Sequence, residues 1–331
     1  MAANKAGIRL TLDDGTDLAD KIDPRYLELT LTEKRGGEAD ELSLTLHNHD
    51  GQLKAPSTGR YIRLALGWES GDDVTVGLVD KGAFRVDEVE ESGPPDKIMI
   101  RARSADFTGT ARQRRVKVWK DTTLGALLSA IATRNDLAAQ VHPDLAGLAI
   151  ALLEQHNKSD HALVKDLGQR YDAVATWKNK QLIFMPVGSA TTATGKTIPT
   201  IALTRKNGWT WSCRQADRGQ YDGAEAQWHD SGTGQRRTHK TAGSNRKRLK
   251  RVYASEAEAQ QATTAEAKKR ARGKRVFTYE LATANMQIQP NAKATLSGWT
   301  SAIDGTSWLV ESLETTMGGG GLKQRLELQS V

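Results

Sequence analysis

Few residues of this sequence are spaced so that they could do chemistry together. His47, His49 and Asp50 lie close to one another, and imidazole and carboxylate groups are common ligands of zinc. They fall at the end of a strand-like segment, just before Gly51, and no third group of ligands accompanies them. Histidine pairs in such positions are usually surface polar groups. We therefore predict no metal site and no cofactor.

Cys213 is the only cysteine, which excludes an intrachain disulfide and a zinc site built from several cysteines. It ends the segment Trp209–Cys213, where a small, half-buried side chain is the simplest interpretation. We do not assign it as a nucleophile. A chain with one thiol is suited to synthesis in a reducing compartment such as the cytoplasm.

The motifs of common enzyme families are missing. Gly195–Thr197 lacks the earlier glycine of a P-loop, and no G-x-S-x-G segment occurs. The carboxylate pairs Asp13–Asp14 and Glu90–Glu91 fall in turn-like segments. The two carboxylates of a glycosidase can be distant in sequence, so that option stays open, but nothing favours it. We predict that the chain is not an enzyme.

The strongest local anomaly is a basic stretch between residues 236 and 251 that contains no acidic residue. Such a stretch attracts phosphate groups through counterion release. No aromatic residue is interleaved before Tyr253, so the stacking platform of single-strand binders is missing. We favour a solvated loop, or one ordered against acidic surfaces of neighbouring subunits, over direct nucleic-acid binding. The candidate contact residues are Arg236, Arg237, Lys240, Arg246, Lys247, Arg248, Lys250 and Arg251.

Charge and hydropathy limit the classes of protein that the 331-residue chain can be. Residues 1–105 hold 14 basic and 20 acidic residues, and the remainder holds 33 basic and 20 acidic residues, a split of −6 and +13. This asymmetry indicates surfaces that face different partners, or a polyanionic environment. No apolar run of about 18 residues occurs. We expect neither membrane insertion nor a cleaved export signal.

Residues 1–105 are predicted to form consecutive strands. Apolar and polar residues alternate in several short segments, such as Ile8–Leu12 and Leu42–Leu46, with turn signals between them. Period-two alternation directs one face of each strand to a core. The pattern predicts an all-β domain built as a sandwich or a barrel.

Between residues 106 and 190 the apolar period becomes helical. A stripe over Leu124–Ile131 predicts one helix, with Asp121 or Thr122 as its N-terminal cap. A second helix is predicted to begin at Ser159. A small hairpin follows, so we expect a compact α+β module.

Residues 191–331 return to strand-like sequence, with two interruptions. Glycine and basic residues over 232–251 predict a mobile loop. Ser255, with Glu258 three residues later, is a capping box, and it predicts a helix over 255–272. The fold class that follows is mainly β with an α+β insert.

Several of these segments occur in an order that resembles one known family. Each segment alone is a generic strand or helix signature, and the specificity lies in their joint order over essentially the whole chain. The segments are Leu42–Gly51, Ile62–Trp68, Ser159–Tyr171, Leu182–Pro186, Leu296–Trp299, Trp308–Ser312 and Leu326–Leu328. They are similar to segments of the phage late control gene D proteins, which are baseplate hub proteins of contractile tails and related injection machines.

This resemblance implies two hub-type β-barrel domains, 1–105 and 191–331, that flank a small LysM-like α+β module over 106–190. It implies a homotrimeric ring that adapts a sixfold tail tube to a threefold central spike. The spike would lie below, and the tube or a tube-initiator protein, with the tape measure, above. Nucleic acid would only pass through the lumen, and the baseplate would be assembled in the cytoplasm of the host bacterium. The family carries no catalytic residues to transfer.

Two alternatives come from other functional classes. The first is a DNA-binding or packaging protein that uses residues 236–251. The second is a cell-wall-binding or wall-degrading protein built on residues 106–190. For the hub, we expect the acidic first domain and the basic last domain to meet across subunits, because their net charges are opposite.

Overall fold

The computed structural model describes residues 3–18, 22, 25–104, 109–215 and 221–331. Most of the described strands belong to one long 12-stranded sheet, and three small sheets hold the rest. The fold is mainly β with helical segments in the middle, in agreement with the sequence prediction. No helix in the described ranges has the length and apolar character needed to cross a membrane.

The first region supplies half of the long sheet. Each strand buries alternate side chains: Leu29 and Leu31 are fully buried, whereas Thr30 between them is not. This is the alternation that the sequence shows. All pairings are antiparallel, in the order β1-β4-β5-β6-β3-β2. The strands are β1 Lys5–Leu12, β2 Tyr26–Lys34, β3 Glu41–His47, β4 Tyr61–Ser70, β5 Gly77–Ser92 and β6 Lys97–Arg103.

The middle region is a compact α+β unit, as its periodicity predicts. A two-stranded antiparallel pair, β7 with β9, lies beside a three-stranded sheet in the order β10-β11-β8. A short 3-10 turn over Gly109–Arg112 precedes them. The elements are β7 Arg114–Thr123, α1 Leu124–Arg134, β8 Ala138–Val141, α2 Pro143–Ala146, β9 Ala149–Ser159, α3 Asp160–Tyr171, β10 Ala173–Lys178 and β11 Gln181–Pro186.

The N-terminal caps of these helices agree with the sequence prediction in one case of two. Ser159 caps α3, and its hydroxyl accepts a hydrogen bond from the Ala162 amide at 3.2 Å. The cap of α1 is Thr123, which accepts from Ala126, so Asp121 or Thr122 was the wrong prediction. The reason is that β7 continues through residue 123, so the chain turns into the helix later than the polar residues suggest.

The last region completes the long sheet and carries a small sheet of its own. β19 pairs with β2, so the path runs on through β19-β20-β17-β13. β18 branches from β19, and β12 pairs with β18. A 3-10 turn lies at Arg205–Asn207. The elements are β12 Ile201–Thr204, β13 Gly208–Gln215, β14 Gly223–Asp230, β15 Gln235–Lys240, β16 Arg246–Tyr253, α4 Glu256–Ala271, β17 Arg275–Leu281, β18 Lys293–Ser297, α5 Ser301–Asp304, β19 Trp308–Gly318 and β20 Gly321–Ser330.

The prediction of a mobile loop over residues 232–251 is wrong. β15 and β16 occupy most of it, and both pair with β14 in a three-stranded sheet. The helix predicted over 255–272 is confirmed as α4, capped by the Ser255 hydroxyl. The loop prediction failed because the apolar residues that bury this segment lie on α4 and β14, outside the segment itself.

Three larger buried clusters follow the three regions, and a small one lies under α4. The clusters also share residues across regions. Ala284, Met286 and Leu322 of the last region pack into the cluster of the first. Val174 and Met185 of the middle region pack into the cluster of the last. The regions are therefore packed against one another and not only connected by the chain.

Candidate functional site

The small sheet of β15, β14 and β16 carries all of the predicted basic contact residues. α4 covers one face, where Ala226, Tyr253, Ala259 and Ala262 form a buried cluster with Trp228 and Leu249 at its margin. Successive side chains of a strand point to opposite faces, so the other face points away from α4. We call that other face the outer face. It is defined by Arg236, Lys240, Arg248 and Lys250, which are all exposed.

Two of the eight predicted basic residues have counter-ions. Arg237 Nε lies 2.9 Å from Asp230 Oδ2, just before the hairpin, and Lys247 Nζ lies 2.8 Å from Glu266 Oε1 on α4. Burial alone raises the pKa of the Glu266 carboxyl, but the hydrogen bonds from Lys247 and a neighbouring arginine lower it below its ordinary value. The stretch contains no acidic residue of its own, but in the fold two of its basic side chains pair with acidic residues from outside it.

Two more of the eight are held by other contacts. Arg246 Nε donates to the Thr241 carbonyl at 2.7 Å, within the turn between β15 and β16. The guanidinium of Arg251 lies 6.0 Å from the centre of the Tyr253 ring. These contacts shape the small sheet itself.

The side chains of the remaining four, the outer-face residues, form no ion pair or hydrogen bond within the described part of the chain. Lys240 and Arg248 lie on either side of Glu225 in the strand register, and Arg236 lies opposite His229. Glu225 is the only carboxylate in these rows. The outer face therefore has an excess of exposed positive charge, which is what a polyanion or an acidic protein surface requires.

Aromatic side chains of this sheet lie on the opposite side. Trp228 and Tyr253 face α4 and pack with its cluster. The outer-face rows contain no Phe, Tyr or Trp. Charge without stacking positions suits acidic groups better than unpaired bases.

The sequence could have revealed the hairpin. Asp230 to Gln235 is a turn-rich junction, and Gly234 has φ +70°, a conformation that favours glycine. The Asp230 carboxylate accepts the Gly232 amide at 3.0 Å. Such a turn between two short segments indicates strands on both sides.

The side chains of the group His47, His49 and Asp50 make structural contacts. Arg25 donates two hydrogen bonds to the Asp50 carboxylate, at 2.6 and 2.5 Å, and they hold its pKa below the usual range. The two imidazole rings meet edge to face with their centres 6.1 Å apart. Among the residues that the structure places, no three or more His, Cys, Asp or Glu side chains form a group that could hold a metal ion.

The other candidates for chemistry have structural surroundings too. Cys213 is partly buried on β13, and burial raises the pKa of its thiol. Asp13 and Asp14 both bind Arg60, at 2.8 and 3.0 Å. Glu90 and Glu91 lie within β5, not in a turn as their sequence suggested.

Buried charges join the first region to the middle one, which sequence reasoning missed. Lys81 Nζ lies 2.9 Å from Glu33, both side chains being buried. Lys178 of β10 donates to Asp40 and stands 3.9 Å from Glu33. These groups line a cavity of about 410 Å³ between the regions. Nothing local marks such pairs, because Lys178 and Asp40 are 138 residues apart.

A second set of ion pairs joins the middle region to α4. Arg170 on α3 lies 2.8 Å from Glu258 on α4, and both side chains are almost fully buried. Arg272, just after α4, pairs with Asp172, just after α3. The small basic sheet is thereby fixed to the body of the protein, and its outer face has a defined direction.

Comparison with known proteins gives consistent matches. The family model described as phage tail baseplate hub (GPD) matches residues 39–320. The probable baseplate hub protein of Escherichia phage P2 is 35% identical over 370 residues, covering 98% of this chain and 94% of that protein. The probable baseplate hub protein of Escherichia phage 186 is 33% identical over 362 residues, covering 97% and 92%.

Solved structures share the fold at low sequence identity. The 43 kDa tail protein of prophage MuSo2 from Shewanella oneidensis superposes with a TM-score of 0.69 at 14% identity, covering 98% of each chain. A tail protein from Neisseria meningitidis MC58 gives a TM-score of 0.68 at 10% identity, covering 98% of this chain and 96% of that one. The family model spans most of the chain and both phage relatives align over nearly all of it. The chain therefore belongs to the phage tail baseplate hub (GPD) family, as a baseplate hub protein of a phage-type tail.

Proposed function

We propose that three copies of this chain form a ring that adapts a sixfold tail tube to a threefold central spike. The observation that carries the proposal is the seam between β2 and β19, which joins the strands of the first and last regions side by side in one sheet. Each copy thus offers two β units along one surface. Three copies would present six such units above and a threefold arrangement below.

The proposed domains are two barrels, 1–105 and 191–331, with a LysM-like module over 106–190 between them. Separate buried clusters for the three regions support these boundaries. The antiparallel pair β7 and β9, which encloses α1 and α2 along the chain, supports a small independent module. The described strands form an open path from β1 to β13, so closure of the barrels is proposed to need pairing beyond that seen within one copy.

The proposed partners are the spike below, and the tail tube or a tube-initiator protein with the tape measure above. Nucleic acid only passes through the lumen, and the ring is assembled in the bacterial cytoplasm before it becomes part of the particle. The role is structural and not enzymatic. What supports it is the family and the structural surroundings of each candidate reactive residue, with Asp50 bound to Arg25 and Asp13 and Asp14 bound to Arg60.

Light scattering on the full chain, with negative-stain images, tests the ring. We expect particles of three times the 36.1 kDa chain mass with a central opening, either for the chain alone or once the spike protein is added. A monomer or a dimer under both conditions would overturn the proposal. The spike condition is needed because a hub can depend on its spike for association.

We further propose that the outer face of the small basic sheet contacts an acidic surface of a neighbouring component. Its four unpaired cations and the absence of Phe, Tyr and Trp from its rows support a protein surface over nucleic acid. The net charge of −6 over residues 1–105 makes a neighbouring copy one candidate.

Filter binding with DNA distinguishes an acidic protein surface from nucleic acid as the partner of the outer face. We expect weak, sequence-independent retention of DNA that disappears at physiological salt. The variant Arg236→Gln/Lys240→Gln/Arg248→Gln/Lys250→Gln should retain as much DNA as a control variant in which four exposed basic residues outside the small sheet are changed to glutamine. Tight retention that persists at physiological salt and is lost only in the outer-face variant would favour DNA binding.

A further inference from the structure

The outer edge of β13 is open. β13 is the last strand on the path of the long sheet and pairs only with β17 among the described strands. Trp209 on this strand is 76% exposed and Trp211 is 36% exposed. Exposed strand edges are usually protected by lysine, by proline or by a covering segment. β13 contains neither lysine nor proline. An unprotected edge with large aromatic side chains is suited to pairing with another strand.

A second open edge belongs to the distal half of β5. This strand has 16 residues, but β4 pairs with it only as far as Arg85. Residues 87–92 pair with β6 on one side and with no described strand on the other. The half is acidic, since Asp87, Glu88, Glu90 and Glu91 are all exposed within it. Asp87 and Glu88 already have arginine partners on β5 and β6, so the negative charge that coincides with the open backbone edge is that of Glu90 and Glu91.

The faces of the two edges match. On β13, Trp211 stacks on the buried Phe277, and Arg214 points to the opposite face. On β5, Val89 packs towards the core of the first region, and Glu90 points to the opposite face. In one continued sheet the core sides would coincide. Arg214 would then lie on the same face as Glu90, and Trp211 on the same side as Val89.

Within one copy the two edges lie at distant positions of the long sheet. In the sheet order, β6, β3, β2, β19, β20 and β17 lie between β5 and β13. At a spacing of about 4.8 Å between strands, the two edges are on the order of 30 Å apart along the sheet. A second copy is the partner that offers the complementary edge.

We propose that β13 of one copy pairs with residues 87–92 of β5 in the next copy, head to tail. This inference rests on the proposed ring, and it names the contact that closes it. Repeating one heterologous contact gives a closed ring when its rotation divides the circle, and here three copies would close it. Backbone hydrogen bonds would supply the pairing. Contacts between Arg214 and Glu90 would fix the register, and the exposed Trp209 would pack against the neighbouring copy.

Disulfide trapping in assembled rings tests the contact. In a Cys213→Ser background, Ser212→Cys is combined with Glu88→Cys or Glu90→Cys, which lie on the matching face, and the assembled material is oxidised. We expect covalent dimers and trimers on a non-reducing gel. Ser212→Cys with Arg63→Cys, an exposed position on β4, is the matched control and should give none. If rings form but neither matching pair of cysteines cross-links, the proposed contact is wrong, whereas the ring proposal is unaffected.

Charge exchange gives an independent readout. Arg214→Glu and Glu90→Arg should each weaken assembly by about tenfold or more, since like charges then face each other. The combination should restore assembly at least in part, which a general loss of stability would not do. If the single variants assemble as well as the unmodified chain, the contact is wrong. If the unmodified chain forms no trimer alone or with the spike, the ring proposal itself fails.

Discussion

The Lys178 ammonium lies between carboxylates that belong to another region of the chain. It contacts Asp40 and stands 3.9 Å from Glu33, which also pairs with Lys81. Burial alone lowers the pKa of Lys178, but the charges of Asp40 and Glu33 raise it above its ordinary value. A base with a raised pKa in the folded state adds stability below its unfolded pKa and loses it as the pH rises through the folded value. This contact should therefore stabilise the fold up to alkaline pH.

Lys178→Met should lower the free energy of unfolding at pH 7 by about 3 kcal/mol, because two buried carboxylates are left with one lysine. The difference in the free energy of unfolding between the variant and the unmodified chain should narrow above the ordinary lysine pKa of 10.5, because the unmodified chain begins to lose this stabilisation there. Urea unfolding of both chains at pH 7, 9 and 11 measures this difference in the free energy of unfolding.

Lys158→Met is the matched control for that substitution. It breaks a half-exposed pair with Asp166 and should cost less than about 1 kcal/mol. A gap for Lys178→Met that stays constant from pH 7 to pH 11 would contradict the assignment.

At the scale of elements, the small basic sheet shows how a polar segment becomes ordered. β15 and β16 have few apolar residues of their own, and their inner face is completed by α4. Tyr253 and Leu249 supply the contact from β16. The segment is ordered because a helix that follows it in sequence folds back over it.

Limited proteolysis distinguishes this sheet from a loop. Trypsin should cut the native chain slowly over residues 236–251, although the segment is rich in its target residues, because strand pairing keeps the backbone out of the protease cleft. Tyr253→Ala, which should cost about 3 kcal/mol by removing a buried aromatic side chain, should accelerate cleavage there. Lys250→Ala, on the outer face, should not. First cuts within 236–251 in the unmodified native chain would show that the sheet is not stable.

At the scale of the whole molecule, the seam between β2 and β19 makes one body of the first and last regions. Seven residue pairs, from Glu28 with Gly318 to Lys34 with Ser312, form this seam. The Trp68 indole of the first region donates to the Ala284 carbonyl at 2.9 Å. A ring subunit built in this way would transmit load through backbone pairing as well as side-chain contacts.

The first and last regions should therefore unfold together. Urea unfolding followed by far-UV circular dichroism and by tryptophan fluorescence should give coincident transitions. Thr315→Pro, at a fully buried position of β19 between β2 and β20, should lower both midpoints by the same amount. A proline there removes a ladder hydrogen bond and leaves a buried carbonyl unpaired, at a cost of about 1–3 kcal/mol. Two separate transitions, with only one of them shifted, would contradict a single body.

Local signals predicted much of the fold. Alternation of apolar residues predicted the strands of the first region, and serine caps predicted the starts of α3 and α4 at Ser159 and Ser255. These features depend on residues within one turn or one strand of each other. The basic residues were identified by type, but four of them proved to be held by Asp230, Glu266, Thr241 and Tyr253.

The sequence by itself determined most of the strands and helices, the sign of each region's charge and, through the order of its segments, the resemblance to hub proteins. Only the tertiary structure decided that most of residues 232–251 form strands, that β2 joins β19, and that no described strand pairs with the outer edge of β13 or of residues 87–92 in β5. The reason is physical. Periodicity and capping act between near neighbours, whereas strand partners, buried ion pairs and open edges depend on residues far apart in the chain, which come together only when the whole sheet is assembled.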